Sequence, residues 1–237
     1  MGGDVVITFA GIGDTQTVLQ GIQIEDLDNL TVAGKGVGNF LFGSNTATDN
    51  IDVVDEGVVP VALTHRVTFL NALDNLVTAG SANLVVNAQD GNDTVTGLGG
   101  NHLLRGGAGD DSLSGGAGFD ILEGGIGNDS IAGGADDDNA FGGAGSDRIS
   151  GGGENDVLSG DAGADSLSGD AGFDGLYGGE GADKLDGGAD DDGLFGEAGN
   201  DTILGGQGFD FIDGDVGNDR IDGGTDGDFA LGRQRHN

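Results

Sequence analysis

From Ala88 to Leu231 the chain divides, without insertion or deletion, into sixteen consecutive units of nine residues. Representative units are Gly106-Gly107-Ala108-Gly109-Asp110-Asp111-Ser112-Leu113-Ser114 and Gly124-Gly125-Ile126-Gly127-Asn128-Asp129-Ser130-Ile131-Ala132. Position 8 is apolar in every unit, from Val95, Leu104 and Leu113 to Ile221 and Ala230. Position 6 is aspartate in fifteen of them: Asp93, Asp111, Asp120, Asp129, Asp138, Asp147, Asp156, Asp165, Asp174, Asp183, Asp192, Asp201, Asp210, Asp219 and Asp228, with His102 the exception. One apolar residue in nine cannot line a helix face, which needs three or four per two turns. It suits a short strand over positions 7 to 9, with position 8 facing inward, while positions 1 to 6 turn the chain. Glycines in the turns supply positive φ. Position 4 is otherwise Asp136, Glu154, Asp190 or Asp226, of which Glu154 fits left-handed geometry least well. Collagen is excluded, because its glycines recur every third residue with abundant proline and this chain has only Pro60.

A second regularity fixes how the units stack. The aromatics of the array, Phe119, Phe141, Phe173, Tyr177, Phe195, Phe209, Phe211 and Phe229, all fall in even-numbered units. Alternate units therefore lie on opposite sides, so that one coil is a pair of units with two strands and two turns. Eight such coils, each rising about 4.8 Å, make a flattened solenoid about 40 Å long, with a ladder of Leu and Ile inside each face. The fold class expected is all-β: a parallel β-roll, or β-solenoid.

In such a coil the position-6 carboxylates form two columns with neighbours about 5 Å apart, where two unit charges repel by about 0.8 kcal/mol even in water. The whole chain carries 42 acidic and 8 basic residues, a net charge of −34. Charge of one sign at this density opposes compaction unless a cation neutralises it. Carboxylates and turn carbonyls are the hard oxygen ligands that Ca²⁺ takes in numbers of six to eight, whereas Mg²⁺ demands near-octahedral geometry and holds its water. No His or Cys recurs with the period, which disfavours zinc and softer metals. Seven gaps in each column, less the one His102 shares with Asp120, leave about 13 sites flanked by two Asp, and that many divalent ions bring the charge to about −8.

These residues resemble the RTX calcium-binding nonapeptide repeat, Gly-Gly-x-Gly-x-Asp-x-apolar-x. Units 106 to 114, 115 to 123 and 124 to 132 match it throughout, and the resemblance covers 144 of 237 residues. It implies a right-handed parallel β-roll in which Ca²⁺ is held by the position-6 aspartates named above and by carbonyls of the turns above and below. It also implies a secreted bacterial protein, exported by type I secretion and folding on calcium outside the cell. Departures from the pattern are His102, the acidic residues Asp161, Asp170, Glu197 and Asp215 at the second glycine, and the last unit, which ends in Ala230-Leu231.

Residues 1 to 87 hold less glycine and several β-rich runs: Val5-Val6-Ile7-Thr8-Phe9, Gln20 to Ile24, Val67 to Leu70 and Asn83 to Asn87. Leu27-Asp28-Asn29-Leu30 to Gly34 partly recurs as Leu73-Asp74-Asn75-Leu76 to Gly80. This region is expected to form an irregular β-rich cap over the first edge of the roll of residues 88 to 231. Residues 232 to 237 are a polar tail unlike the family's export signal, and Met1-Gly2-Gly3-Asp4 lacks the regions of a signal peptide. Export by another route, or a piece of a longer chain, is therefore expected.

Outward positions of even units carry Ile121, Val157 and the aromatics Phe141, Tyr177, Phe195, Phe211 and Phe229, whereas position 7 of odd units reads Thr94, Ser112, Ser130, Arg148, Ser166, Lys184, Thr202, Arg220. The aromatic face is a candidate docking surface for a neighbouring domain, for residues 1 to 87 or for a second copy. No catalytic arrangement is evident. His65, His102 and His236 are isolated, and there is no HExxH, Walker loop or nucleophile elbow. Eight scattered cations do not suit nucleic acid, and no apolar run is long enough to span a membrane. The expected role is a non-catalytic calcium-folding and secretion module. The alternatives are the tail of a secreted metalloprotease, lipase or alginate-modifying enzyme, and an adhesion or polysaccharide-binding module using the aromatic face.

Overall fold

In the computed structural model, residues 74–232 are described throughout, together with Ala72 and the backbone of six upstream strands, Val5–Phe9, Gln16–Leu19, Phe40–Leu41, Ile51–Val53, Val61–Leu63 and Val67–Phe69. The runs Gln20 to Ile24 and Leu27 to Gly34 and the tail after Gly232 lie outside the described residues.

The chain winds as a parallel β-solenoid of about 9 turns. Strands of even units stack into one sheet and those of odd units into the other. At every step of the repeat a residue pairs with its counterpart two units on, as in Leu104↔Leu122, Leu122↔Ala140 and Ala140↔Leu158 on one side and Leu113↔Ile131 and Ile131↔Ile149 on the other. The same register continues upstream of Ala88, through Val77↔Val95 and Val67↔Val85. It shortens at Val61↔Val77 and Ile51↔Val67, and beyond these Phe40–Leu41 and Val5–Phe9 pair antiparallel. Among the described strands the parallel repeat thus gives way to antiparallel pairing.

The strands run longer than three residues. Ser112–Ala117 and Ile121–Ile126 each extend from position 7 into position 3 of the next unit, with the burial alternation continuing through position 1. Position 1 thus faces inward beside position 8. Because it is glycine, it adds nothing to the apolar pattern that reveals a strand in sequence.

The core is a double ladder of position-8 residues, Val95 through Ile212, each at most 2% exposed. Upstream it is denser: Val77, Ala79, Leu84, Val86 and Ala88 are all buried within a short stretch of chain. At the other end it fades, since Ile221 is only partly buried and Ala230 is exposed. The described residues include no helix long and apolar enough to cross a membrane.

Candidate functional site: two buried carboxylate ladders

The turn conformation places every position-6 side chain at the same place in its coil. Positive φ is adopted at positions 2 and 4, by Gly107 and Gly109 in one unit and, where glycine is absent, by Asp161, Asp170, Glu197 and Asp215 or by Asp136, Glu154, Asp190 and Asp226. Position 1 is glycine for a different reason, because its φ is ordinary and a side chain would collide. A Cβ on Gly133 would lie 2.6 Å from Asp138 Oδ2 and 2.7 Å from the carbonyl oxygen of Gly151, one coil on.

The aspartates from Asp93 to Asp210 are buried in two columns, one along each edge of the roll, and Asp219 and Asp228 are half-buried at the fading end. Within each column the backbone N–H of one position-6 residue donates to Oδ1 of the next. The bonds run from His102 to Asp120 at 2.6 Å and Asp93 to Asp111 at 2.7 Å, down to Asp210 to Asp228 at 3.2 Å. The other oxygen, Oδ2, is buried without a hydrogen-bond partner in each aspartate from Asp93 and Asp111 to Asp210. A desolvated carboxylate oxygen left unpaired is costly. Burial accordingly pushes Asp111, Asp138, Asp156 and Asp192 up to about 7. Asp129, Asp165, Asp174 and Asp201 rise to about 6 from the same cause. The backbone donor from the preceding coil opposes this rise, and in most of these eight the like charge of a carboxylate one coil away adds to it.

This arrangement fits a hard cation. Oxygens of two kinds, Oδ2 and the position-1 carbonyl of the next coil, converge beside most of the position-1 glycines from Gly106 to Gly205; at Gly187 a Cβ would lie 2.5 Å from both Asp192 Oδ2 and Gly205 O. Such separations are in the range of calcium–oxygen contacts, about 2.3–2.6 Å. Among the described residues no three His, Asp or Glu side chains converge, so carbonyls have to complete any site.

His102 occupies the Asp position at the start of the even column. It is buried, and its Nδ1 accepts the Leu84 N–H at 3.3 Å, as an aspartate Oδ1 does elsewhere. A second, outer ladder escaped the sequence reading. Position-5 side chains accept from the backbone of the following coil, as in Asp110 N–H to Asn92 Oδ1 at 2.9 Å, Asn128 N–H to Asp110 Oδ1 at 2.7 Å and Ser146 N–H to Asn128 Oδ1 at 2.9 Å. The recurrence of Asn and Asp at position 5 was its visible signal. Asn92, Asn128 and Asn200, which begin Asn-x-Ser/Thr triplets, serve in this ladder.

On the even face the rings form a column. Tyr177 and Phe195 stack at 5.1 Å and 8°, Phe195 meets Phe211 at 5.7 Å, and Phe211 meets Phe229 at 5.5 Å. The column passes from position 9 to position 7 because Gly175 and Gly193 leave room beneath the Tyr177 and Phe195 rings. Phe141 belongs to the same face and is partly buried. On the odd face Leu204 is also exposed among the hydroxyl residues.

The profile of the RTX calcium-binding nonapeptide repeat (4 copies) matches overlapping stretches from residue 71 to residue 230, well over half of the chain. The chain belongs to this family of calcium-binding repeat modules. A search of curated proteins finds no match.

Proposed function

We propose that this chain is a module that folds when Ca²⁺ binds between its coils, and that it serves an exported bacterial protein, staying unfolded where calcium is scarce and folding outside the cell. The observation that carries this reading is the row of buried, unpartnered Oδ2 atoms from Asp93 to Asp210, each in a fold whose neighbouring coils bring further carboxylate and carbonyl oxygens. The ligands would be the position-6 aspartates, Asp93 through Asp228, with turn carbonyls. Gaps flanked by two carboxylates number seven in the odd column and six in the even one, which corresponds to about thirteen ions. Bound Ca²⁺ supplies the positive charge that lets these carboxylates remain ionised while buried. Sites filled at a hundred times their dissociation constant would each add about 2.7 kcal/mol. Circular dichroism during a calcium titration, with reversal by chelator, tests the reading: a cooperative coil-to-strand transition supports it, and strand content indifferent to calcium sinks it.

The site itself presents no catalytic arrangement, so an activity of the parent protein would reside in other residues. The aromatic column favours a second reading for its own face, docking rather than sugar binding. Coplanar rings side by side cannot bring their centroids to 5.1 Å, so Tyr177 and Phe195 must overlap face to face, and the faces a sugar would stack upon are turned to each other. The exposed ring edges suit a neighbouring domain or a second copy. A Tyr177→Ser, Phe195→Ser variant with unchanged oligomeric state and unchanged stability would remove that reading.

A further inference from the structure

We infer that residues 75–105 form a metal-independent starter on which the cation-dependent coils, beginning at Gly106, are built. The inference rests on the calcium reading above and says where that dependence begins.

Four features separate this segment from everything after it. First, the position-6 places here are Asn75, Leu84, Asp93 and His102, so three of the four carry no carboxylate. The one carboxylate, Asp93, receives two donors on Oδ1, the Asn75 backbone N–H at 2.7 Å and the Asn75 side-chain amide at 2.8 Å. Second, position 1 is alanine at Ala79 and Ala88, both fully buried, and glycine only at Gly97, whereas every unit from Gly106 onward has glycine there. The register sets Gln89 beside Gly107, which places Ala88 directly below Gly106. The Ala88 methyl thus takes the place that later coils leave open between carboxylate and carbonyl. Third, the lone pair of His102 Nδ1 is used by the Leu84 N–H. That nitrogen therefore has no electron pair left to offer a cation. Fourth, Val77, Ala79, Leu84, Val86 and Ala88 crowd five buried apolar side chains into little more than one unit's length, against one per unit later.

These features act together in a stacked array. Each coil of a solenoid is stabilised chiefly by its neighbour, so the first coil must stand before others can add to it. A first coil held by apolar burial, with Asp93 as its single buried carboxylate and two donors on that carboxylate's Oδ1, stands without an ion. The unpartnered Asp93 Oδ2 opens the first cation gap, shared with Asp111. This first coil is also not alone, because the backbone ladder continues upstream through Val67–Phe69 and Ile51–Val53 in one sheet and Val61–Leu63 in the other. From Gly106 onward each added coil brings two buried carboxylates and one apolar residue per strand, and grows only when cations are present.

Hydrogen exchange by mass spectrometry on the full chain, in metal-free buffer at neutral pH and again with saturating calcium, tests this. In metal-free buffer, peptides within residues 76–104 should exchange at least about tenfold more slowly than the unfolded chain, while peptides within 112–213 exchange at the unfolded rate and become protected on adding calcium. Exchange at the unfolded rate over 76–104 until calcium is added would overturn the starter and leave the calcium reading intact. Protection over 112–213 without calcium would overturn both. The double variant Asn75→Asp, His102→Asp should lose the metal-free protection of 76–104 and regain it with calcium. Retention of that protection would contradict the assignment, as would its loss in Asp174→Asn, which lies far along the roll. Ala88→Gly supplies an independent variant, expected to weaken metal-free protection without introducing charge.

Discussion

At the scale of single residues, two adjacent rules govern each turn: an inward aspartate whose second oxygen lacks a partner, and a glycine that keeps clear of it. Gly133→Ala should therefore act through collision, since its Cβ would meet Asp138 Oδ2 and the Gly151 carbonyl. The expected cost is about 1–3 kcal/mol in calcium-saturated urea unfolding, with the bound-ion count from calorimetry reduced. The carboxylates also predict a pH dependence of definite sign. Their folded values lie above the ordinary 3.8, at about 6 to about 7, so between these limits the native chain holds more protons than the unfolded one. Stability of the cation-free roll therefore falls as pH rises from about 4 to about 7. Calcium affinity runs the other way and strengthens over the same window, because the ligands must be ionised. In metal-free buffer, strand content by circular dichroism should be greater at pH 5 than at pH 7.5, where the carboxylate coils are unfolded, and in saturating calcium the urea midpoint should instead be higher at pH 7.5; strand content without metal that does not change with pH would contradict the burial of Oδ2.

At the scale of strands and coils, the apolar ladder and the polar ladders divide the work. Each coil contributes one buried position-8 side chain per sheet, packed against its counterparts in the coils above and below. Leu158→Ala, in the middle of the even ladder, should destabilise the calcium-loaded roll by about 2–5 kcal/mol, with the unfolding midpoint moving and its steepness kept. Ile221→Ala should cost less, since that side chain is only partly buried. Towards this fading end the ring column from Tyr177 to Phe229 compensates, each ring pair adding about 0.5–1.5 kcal/mol beyond its burial. The position-7 to position-9 strand and its inward residue were legible in the sequence as one apolar site per nine. Extension of the strand through position 1, and the outer ladder at position 5, were not. The first is masked by glycine, which has no polarity to alternate. The second depends on an amide reaching a backbone N–H that is distant in sequence and adjacent only after coiling.

At the scale of the whole molecule, the solenoid is nearly one-dimensional, and its unit of meaning is the two-unit coil rather than the single nonapeptide. Excising residues 124–141 should leave a shorter roll that still folds cooperatively with calcium, with a smaller urea m-value. Excising only 124–132 should transfer every later unit to the opposite sheet. The ring column would stay intact but stand beneath the hydroxyl face of the earlier coils, and the loss of matched rows at the joint should cost more stability than the longer excision does. Unfolding monitored by circular dichroism compares the two directly. The sequence by itself determined the period, the two-sided coil and the identity of the inward aspartates, because these follow from spacing and from aromatic parity, and spacing survives in one dimension. Only the tertiary structure decided which oxygen of each carboxylate is spoken for and which is left bare. It alone showed that His102 stands in for a carboxylate as a hydrogen-bond acceptor, and that the winding upstream of Ala88 keeps the register of the repeat, with Asn75 and Ala79 in its places. The reason is that hydrogen bonding and steric exclusion are settled between coils, by atoms a full coil apart along the chain and one strand apart in space.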